Sequence, residues 1–388
     1  MKHRRPLMKK KRVLLLGAGG SIGKNSLEVI RRFSDRFELA GFSVHSNLDF
    51  AKKIKAEFIG AQFVSTKKND STLKHEIDVK AINRLIEESK ADIVINGIAG
   101  SAGLKASVEV IKSGLDLALA NKETIVEAGE LIFQDAEKTG SKIIPVDSEH
   151  AAIFQLINAH KKENIEKIII TASGGPFLNT PKEKLCTIKL EDALKHPTWK
   201  MGGKITIDSA SLANKALEVI EAVKLFSFPP EKIEVTVHPQ SIIHSMVQCK
   251  NGEIFAQASP PDMKNPILNA LSFPEMPEPF LNPLDFSQVI RLEFMPPRTD
   301  DFPMLALGFE AAKKGGAYPI AFNVANEEAV DAFMHGKVSF TDLADITQEV
   351  LNSDWTMKLS SYEEVYDYEN RARAIALARI LGRVNGLQ

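Results

Sequence analysis

Cysteine is scarce in this chain: Cys186 and Cys249 are the only two in 388 residues, and no Cys-x-x-Cys spacing occurs. That excludes a disulfide framework and a cysteine-built zinc centre, and it fits a reducing, cytoplasmic setting. Both thiols read most simply as small core residues. Long apolar runs are missing too. Val13-Leu14-Leu15-Leu16 follows the basic N-terminus but ends at once in a glycine run, so it is no secretory h-region, and no later stretch is suited to span a membrane. Net charge is nearly absent, with 49 Lys and Arg against 50 Asp and Glu. That balance hides an asymmetry, because seven of the first twelve residues are Lys or Arg and the other 376 carry a net of −8. A body this acidic excludes general nucleic-acid binding, which needs a basic surface against phosphate. A nucleic-acid arm or targeting segment is the competing reading of residues 1–12. The favoured one is a dispensable solvated tail, with Met8 as an alternative start.

The length predicts two or three domains of globular composition. Short apolar runs alternate with amphipathic stretches over the first 150 residues, the pattern of a parallel sheet, with strands expected at 13–16, 38–44, 93–95, 115–119 and 142–146. A second strand-rich region follows, at 167–171, 204–207, 233–237, 242–248 and 253–257. Ten of the 19 prolines then fall between Pro260 and Pro303, which marks a linker or wrapping segment. Helices are expected beyond it at 304–314, 321–335, 341–352 and 362–383. The domains are therefore set at 13–147, 148–272 and 299–388, with 273–298 as the proline-rich linker.

Several strand ends carry polar clusters, where open α/β sheets place ligands. Gly17, Gly20 and Gly23 form a G-x-x-G-x-x-G turn between a strand and a helix, a candidate pyrophosphate cradle or a tight turn alone. The second strand ends in His45-Ser46-Asn47 with no acid to take a ribose 2′-hydroxyl, which favours NADPH, although Asn47 is followed shortly by Asp49. Asp147 and Glu149 offer two hard oxygen ligands suited to Mg²⁺ or Mn²⁺; the bland alternative is an ordinary helix start. Trp199 sits in a Pro- and Gly-flanked loop, either a mobile lid or a pinned surface loop. Asp208-Ser209-Ala210-Ser211 is expected to open a helix whose Asn214, Lys215 and Glu218 share one face. That is a phosphate site on physical grounds, or a capped helix with a Lys–Glu pair. His238 and His244 flank a turn, and spacing does not choose a role for either.

Eight segments in this order resemble the 1-deoxy-D-xylulose 5-phosphate reductoisomerase family: GAGGSIG (17–23), LANKE (119–123), PVDSEH (145–150), TASGGPF (171–177), HPTWKMG (196–202), IDSASLANKALEVIEA (207–222), HPQSIIHSM (238–246) and PPDM (260–263). The resemblance implies an α/β fold with a Rossmann-like N-terminal NADP-binding domain, an α+β catalytic domain with a flexible lid over 173–203, and a C-terminal α-helical bundle, assembled as a homodimer. It implies conversion of 1-deoxy-D-xylulose 5-phosphate to 2-C-methyl-D-erythritol 4-phosphate by C3–C4 cleavage, re-addition and reduction by NADPH, in the non-mevalonate route to isoprenoids. Asp147, Glu149 and Glu218 would then bind Mg²⁺ or Mn²⁺, with Co²⁺ as a further option. Ser173, Ser209, Asn214 and Lys215 would hold the substrate phosphate beside His196. Lys122, Ser148 and Glu149 would meet the substrate's oxygens, Lys122 as a proton donor or electrostatic partner, with Trp199 and Met201 closing the lid and His244 in support. Gly19, Gly20, Ser21, Ile22, His45, Ser46, Asn47, Asn121, Glu123 and Gly202 would serve NADPH.

Two segments depart from the pattern. Many members have Thr where Gly19 stands and Gly-Lys-Asn where His45-Ser46-Asn47 stands, which bears on the degree of NADPH preference and not on the reaction. The rival readings are another NADP-dependent dehydrogenase, of the semialdehyde or homoserine type, and a non-catalytic dinucleotide sensor. Neither needs the metal carboxylates and phosphate cluster together.

Overall fold

The computed structural model describes residues 9–67, 77–199 and 201–386. The first eight residues of the basic tail and Lys200 of the candidate lid lie outside them. The chain divides into two compact units. One comprises residues up to Thr124, Ile132–Asp147 and Met263–Asn282; the other comprises Ile125–Leu131, Ser148–Asp262 and Pro283 onward.

In the first unit, β1 (Lys11–Leu16), β2 (Phe37–Val44), β3 (Gln62–Ser65), β4 (Ile93–Asn96), β5 (Asp116–Leu119) and β6 (Ile143–Pro145) make one parallel sheet in the order β3-β2-β1-β4-β5-β6. Helices α1 (Ser21–Arg32), α2 (Leu48–Glu57), α3 (Val79–Ser89), α4 (Ala102–Lys112) and α5 (Lys122–Thr139) connect the strands in turn. Val13 to Leu16 and Ile93 to Asn96 are buried throughout, so both faces of the central strands are covered. That coverage is why they read as unbroken apolar runs rather than alternating ones. Strand order runs one way from β1 and the other way from β4, so the β1/β4 boundary is a topological switch point, with its crevice at the strands' carboxyl ends.

The second unit opens with α6 (Ser148–His160) and β7 (Ile165–Ala172), then a short α7 (Leu190–Ala193), α8 (Gly203–Ser211) and α9 (Ala213–Phe226). With β8 (Ile233–Val237), β9 (Ile243–Cys249) and β10 (Ile254–Ala258), β7 completes a four-stranded mixed sheet in the order β10-β9-β7-β8. Helix α10 (Lys264–Ser272) returns to the first unit. Pro266 is tolerated there because it lies in the first turn, where its missing N–H has no partner to lose. The stretch 273–298 then holds no helix or strand beyond a backbone bridge between Met295 and Val237. Helices α11 (Met304–Lys314), α12 (Tyr318–Met334), α13 (Asp342–Leu351) and α14 (Tyr362–Val384) finish the unit. Its core joins Ile170 and Val247 of the sheet to Val219, Leu305, Val330, Phe333 and Ile346 of the helices. Each such side chain contributes about 1.5–3 kcal/mol by leaving water.

Three expectations are corrected here. Of the two cysteines, Cys249 is buried but Cys186 is exposed. Residues 204–207 belong to helix α8, not to a strand. Lys-Ile-Thr-Ile alternates like a strand, but Thr206 bonds back to Gly202 through both its amide (3.1 Å) and its hydroxyl (2.8 Å), and Lys204 pairs with Asp208 one turn on (2.9 Å). For the same reason Asp208–Ser211 closes a helix instead of opening one. Leu212 in the left-handed conformation (φ 65°) breaks the chain's path, and α9 starts afresh at Ala213.

Candidate active site

The break at Leu212 puts Ser209 on the last turn of α8, and Asn214 and Lys215 on the first turn of α9. Glu218, one turn later, is fully buried. Its Oε1 accepts from the Asn214 amide (2.6 Å), and its Oε2 accepts from the buried Lys215 ammonium, which also lies 3.7 Å from Glu149. Behind it, His150 Nε2–H donates to the Glu218 backbone carbonyl (3.0 Å) while Nδ1 lies 3.3 Å from the buried Glu221 carboxylate. Sequence reasoning missed both His150 and Glu221. The Glu218-x-x-Glu221 spacing was visible, but not the partner from another helix.

Asp147 is the residue at which the chain passes from the first unit to the second, two residues before Glu149. One carboxylate oxygen from each of Asp147, Glu149 and Glu218 lies within 4.8 Å of the others. The Lys122 ammonium pairs with Asp147, and the Ser148 hydroxyl donates to Glu149 (2.6 Å). Three carboxylates thus come together beside the Lys122 and Lys215 ammonium groups, Glu218 buried and Asp147 and Glu149 partly so. Burying charge is costly unless it is paired. The donors are oxygens only, so the set fits a hard divalent cation such as Mg²⁺ or Mn²⁺.

A second polar cluster gathers Ser173, His196 and Ser209. Nδ1 of His196 accepts from the backbone amides of Thr198 (3.1 Å) and Trp199 (2.9 Å), which fixes a neutral ring carrying its proton on Nε2. That Nε2 lies 3.0 Å from the Ser173 hydroxyl and 3.2 Å from the Ser209 hydroxyl. The loop that follows folds back on His196, and the Trp199 ring stands 6.1 Å from the ring of His244, whose Nε2–H donates to the Ser259 carbonyl (3.2 Å).

Burial holds the His196 pKa below the usual histidine value. Around pH 6 the unfolded chain therefore binds more protons at this residue than the folded one. The stability it contributes is complete above the usual pKa of about 6.5 and is lost as pH falls through the lowered folded value. His196→Asn keeps an acceptor for the two amides but cannot titrate. Its melting temperature is expected to approach or overtake that of the unaltered protein between about pH 7 and pH 5. Parallel melting curves of the two proteins would contradict this.

At the switch point of the first unit, Gly19, Gly20, Ser21 and Ile22 form the loop and first turn of α1, with Gly20 as its N-cap. His45, Ser46 and Asn47 follow β2, all exposed, and the Asn47 side chain caps α2 by accepting from the Phe50 amide (3.0 Å). Asn121 and Glu123 follow β5 but are buried. The Asn121 amide donates to the Ile98 and Gly100 carbonyls (2.9 Å each), and Glu123 accepts from the Gly100 amide (3.1 Å). Met201 and Gly202 lie in the second unit, before α8, with Gly202 as the N-cap of that helix.

A glycine turn on a parallel nucleotide-type sheet and a carboxylate cluster of hard donors define a class: two-unit α/β oxidoreductases that combine a dinucleotide with a divalent cation. Three family profiles narrow it. Residues 13–129 match 1-deoxy-D-xylulose 5-phosphate reductoisomerase, residues 143–226 match its C-terminal domain, and residues 258–375 match the DXP reductoisomerase C-terminal domain. The 1-deoxy-D-xylulose 5-phosphate reductoisomerase of Treponema denticola is 90% identical over 98% of this chain and 100% of its own; that of Treponema pallidum is 48% identical over 97% and 99%. A Zymomonas mobilis reductoisomerase solved in complex with NADPH superimposes with TM-score 0.86 at 38% identity, covering 96% of this chain and 99% of that one. A further reductoisomerase solved with NADPH, fosmidomycin and magnesium gives TM-score 0.88 at 34% identity, over 96% and 98%. The chain belongs to the 1-deoxy-D-xylulose 5-phosphate reductoisomerase family.

Proposed function

We propose that this chain converts 1-deoxy-D-xylulose 5-phosphate to 2-C-methyl-D-erythritol 4-phosphate with NADPH and a divalent cation, in the non-mevalonate isoprenoid route. The observation that carries the reading is the carboxylate cluster of Asp147, Glu149 and Glu218. The division of labour assigns 13–147 to the cofactor, 148–272 to metal and substrate, and 299–388 to helical support. Mg²⁺ or Mn²⁺ supplies Lewis-acid polarisation and a template for two neighbouring substrate oxygens, and NADPH supplies the hydride.

The protein's own groups do the rest. Asp147, Glu149 and Glu218 hold the cation. Ser148, whose hydroxyl donates to Glu149, restricts that carboxylate and meets the substrate. Lys122 keeps a positive charge beside Asp147, where it steadies negative charge developing on the substrate's oxygens. Ser173, Ser209, Asn214 and Lys215 offer donors to the phosphate, and His196 contributes its Nε2–H because Nδ1 is already an acceptor. Binding energy from this remote phosphate closes the loop bearing Trp199 and Met201 and excludes water, with His244 under the Trp199 ring. Gly19, Gly20, Ser21 and Ile22 approach the pyrophosphate; His45, Ser46 and Asn47 meet the 2′-phosphate; Asn121, Glu123 and Gly202 serve the rest of the dinucleotide.

The reading extends to a homodimer. Edge strand β10 leaves Ile254 54% exposed, and the proline-rich stretch leaves Phe286 at 81% and Val289 at 88%. An open edge and exposed large apolar side chains call for cover. Among the described residues no helix is long and apolar enough to cross a membrane, and we place the enzyme in the cytoplasm. One preparation tests the whole: NADPH absorbance should fall only when substrate and Mg²⁺ are both present and stop falling with EDTA, and light scattering should give twice the chain mass. Oxidation of NADPH that ignores EDTA would overturn the metal role, and a monomeric mass would overturn the dimer.

A further inference from the structure

We propose that a one-way hydrogen-bond relay, Asn96 to Ser107 to Thr124 to Asn121, positions the backbone against which the dinucleotide lies. The proposal rests on the reading of NADPH as the cofactor. All four side chains lie in the first unit and are buried.

The direction of every bond in the relay is forced by chemistry. The Asn121 carbonyl oxygen can only accept, so the Thr124 hydroxyl, 2.6 Å away, spends its single proton there. Across the 2.8 Å contact between Thr124 and Ser107, Ser107 must therefore be the donor. Ser107 in turn accepts from the Asn96 amide (2.8 Å), whose other proton goes to the Gly103 carbonyl (2.9 Å) and whose oxygen accepts from the Ile98 amide (3.1 Å). With its oxygen committed to Thr124, Asn121 has one orientation left. Its NH₂ faces the carbonyls of Ile98 and Gly100 and the Glu123 carboxylate. A flipped amide would set donors against donors.

The held loop follows β4 on one side of the switch point, and it is locked to the glycine turn on the other side. The Gly97 amide donates to the Leu16 carbonyl (3.0 Å), and a Cβ on Gly17 would stand 2.8 Å from the Gly97 oxygen. Gly103 shows how tight the fit is, since a Cβ there would meet the Asn121 amide carbon at 2.5 Å. The relay thus couples α4 and α5 to both walls of the crevice. Thr124, Ser107 and Asn96 are positioning residues: they act through the loop.

The test is NADPH affinity, read by fluorescence titration without substrate or metal. Thr124→Val keeps the shape and removes the hydroxyl, and its Kd for NADPH should rise about tenfold. Ser107→Ala, which cuts the relay at its middle, should do the same, and Thr124→Ser should restore binding to within about twofold of the unaltered protein. The KM for 1-deoxy-D-xylulose 5-phosphate and the Kd for Mn²⁺ should stay unchanged. A folded Thr124→Val that binds NADPH normally would overturn the relay; should that variant fail to fold, normal binding by Ser107→Ala does so. If the unaltered protein binds no NADPH, the cofactor reading fails instead.

Discussion

Glu218→Gln is expected to lower kcat/KM about 1,000-fold or more and to weaken Mn²⁺ binding at least about 100-fold. The substitution changes little in shape. It places an NH₂ group where the buried carboxylate accepts from both Asn214 and Lys215, so donor meets donor on one side or the other. It also takes a carboxylate away from Lys215, itself buried, which lies 3.7 Å from Glu149. The cation loses one of its three proposed oxygen ligands at the same time. Two measurements separate these consequences from general unfolding. Mn²⁺ titration followed by electron paramagnetic resonance needs no substrate, and NADPH titration reports on the glycine turn of the first unit. The expected pattern is lost metal binding with preserved cofactor binding. Unchanged Mn²⁺ affinity would remove Glu218 from the metal site.

The sequence revealed the residue types at this site better than their surroundings. Asp147 and Glu149 were legible because they share one bend of chain at the end of a strand. Asn214, Lys215 and Glu218 were legible because helical spacing alone puts them on one face. What stayed hidden was held by distant partners. His150 and Glu221 come from different helices, and the relay from Asn96 to Asn121 crosses a strand end and two helices. The same distinction runs through the fold. Helix 304–314 was read correctly to the residue, since its apolar spacing is regular and prolines bound its start. Residues 204–207 were misread, because β-branched Ile205, Thr206 and Ile207 alternate like a strand while the deciding bonds return to Gly202. Strand β3 was overlooked: it is a short edge, and Gln62 and Phe63 are exposed.

The glycine turn carries the other large expected effect. Gly23→Ala should cost about 3 kcal/mol of stability and weaken NADPH binding about 100-fold. A Cβ at residue 23 would lie 2.5 Å from the Cα, carbonyl carbon and oxygen of Ala18. Those are backbone atoms of the turn itself, so no side chain can swing aside, and α1 must be pushed off the loop it stabilises. Gly17 is restricted for a different reason: its φ of 82° is strained for any L side chain, and the Gly97 carbonyl stands in the way. Gly20 would keep ordinary contacts, 3.5 Å at the nearest, and Gly19 would meet nothing within 4 Å. Gly19→Ala is therefore the control, expected to melt with the unaltered protein. A Gly23→Ala protein that melts and binds NADPH normally would show that α1 yields more easily than the packing implies. The G-x-x-G-x-x-G spacing thus encodes three requirements: a left-handed turn at Gly17, an open N-cap at Gly20 and a close helix-to-loop contact at Gly23. Only the first and last forbid a side chain on steric grounds, which is why the strict dinucleotide spacing can be departed from at residue 22 without losing the turn.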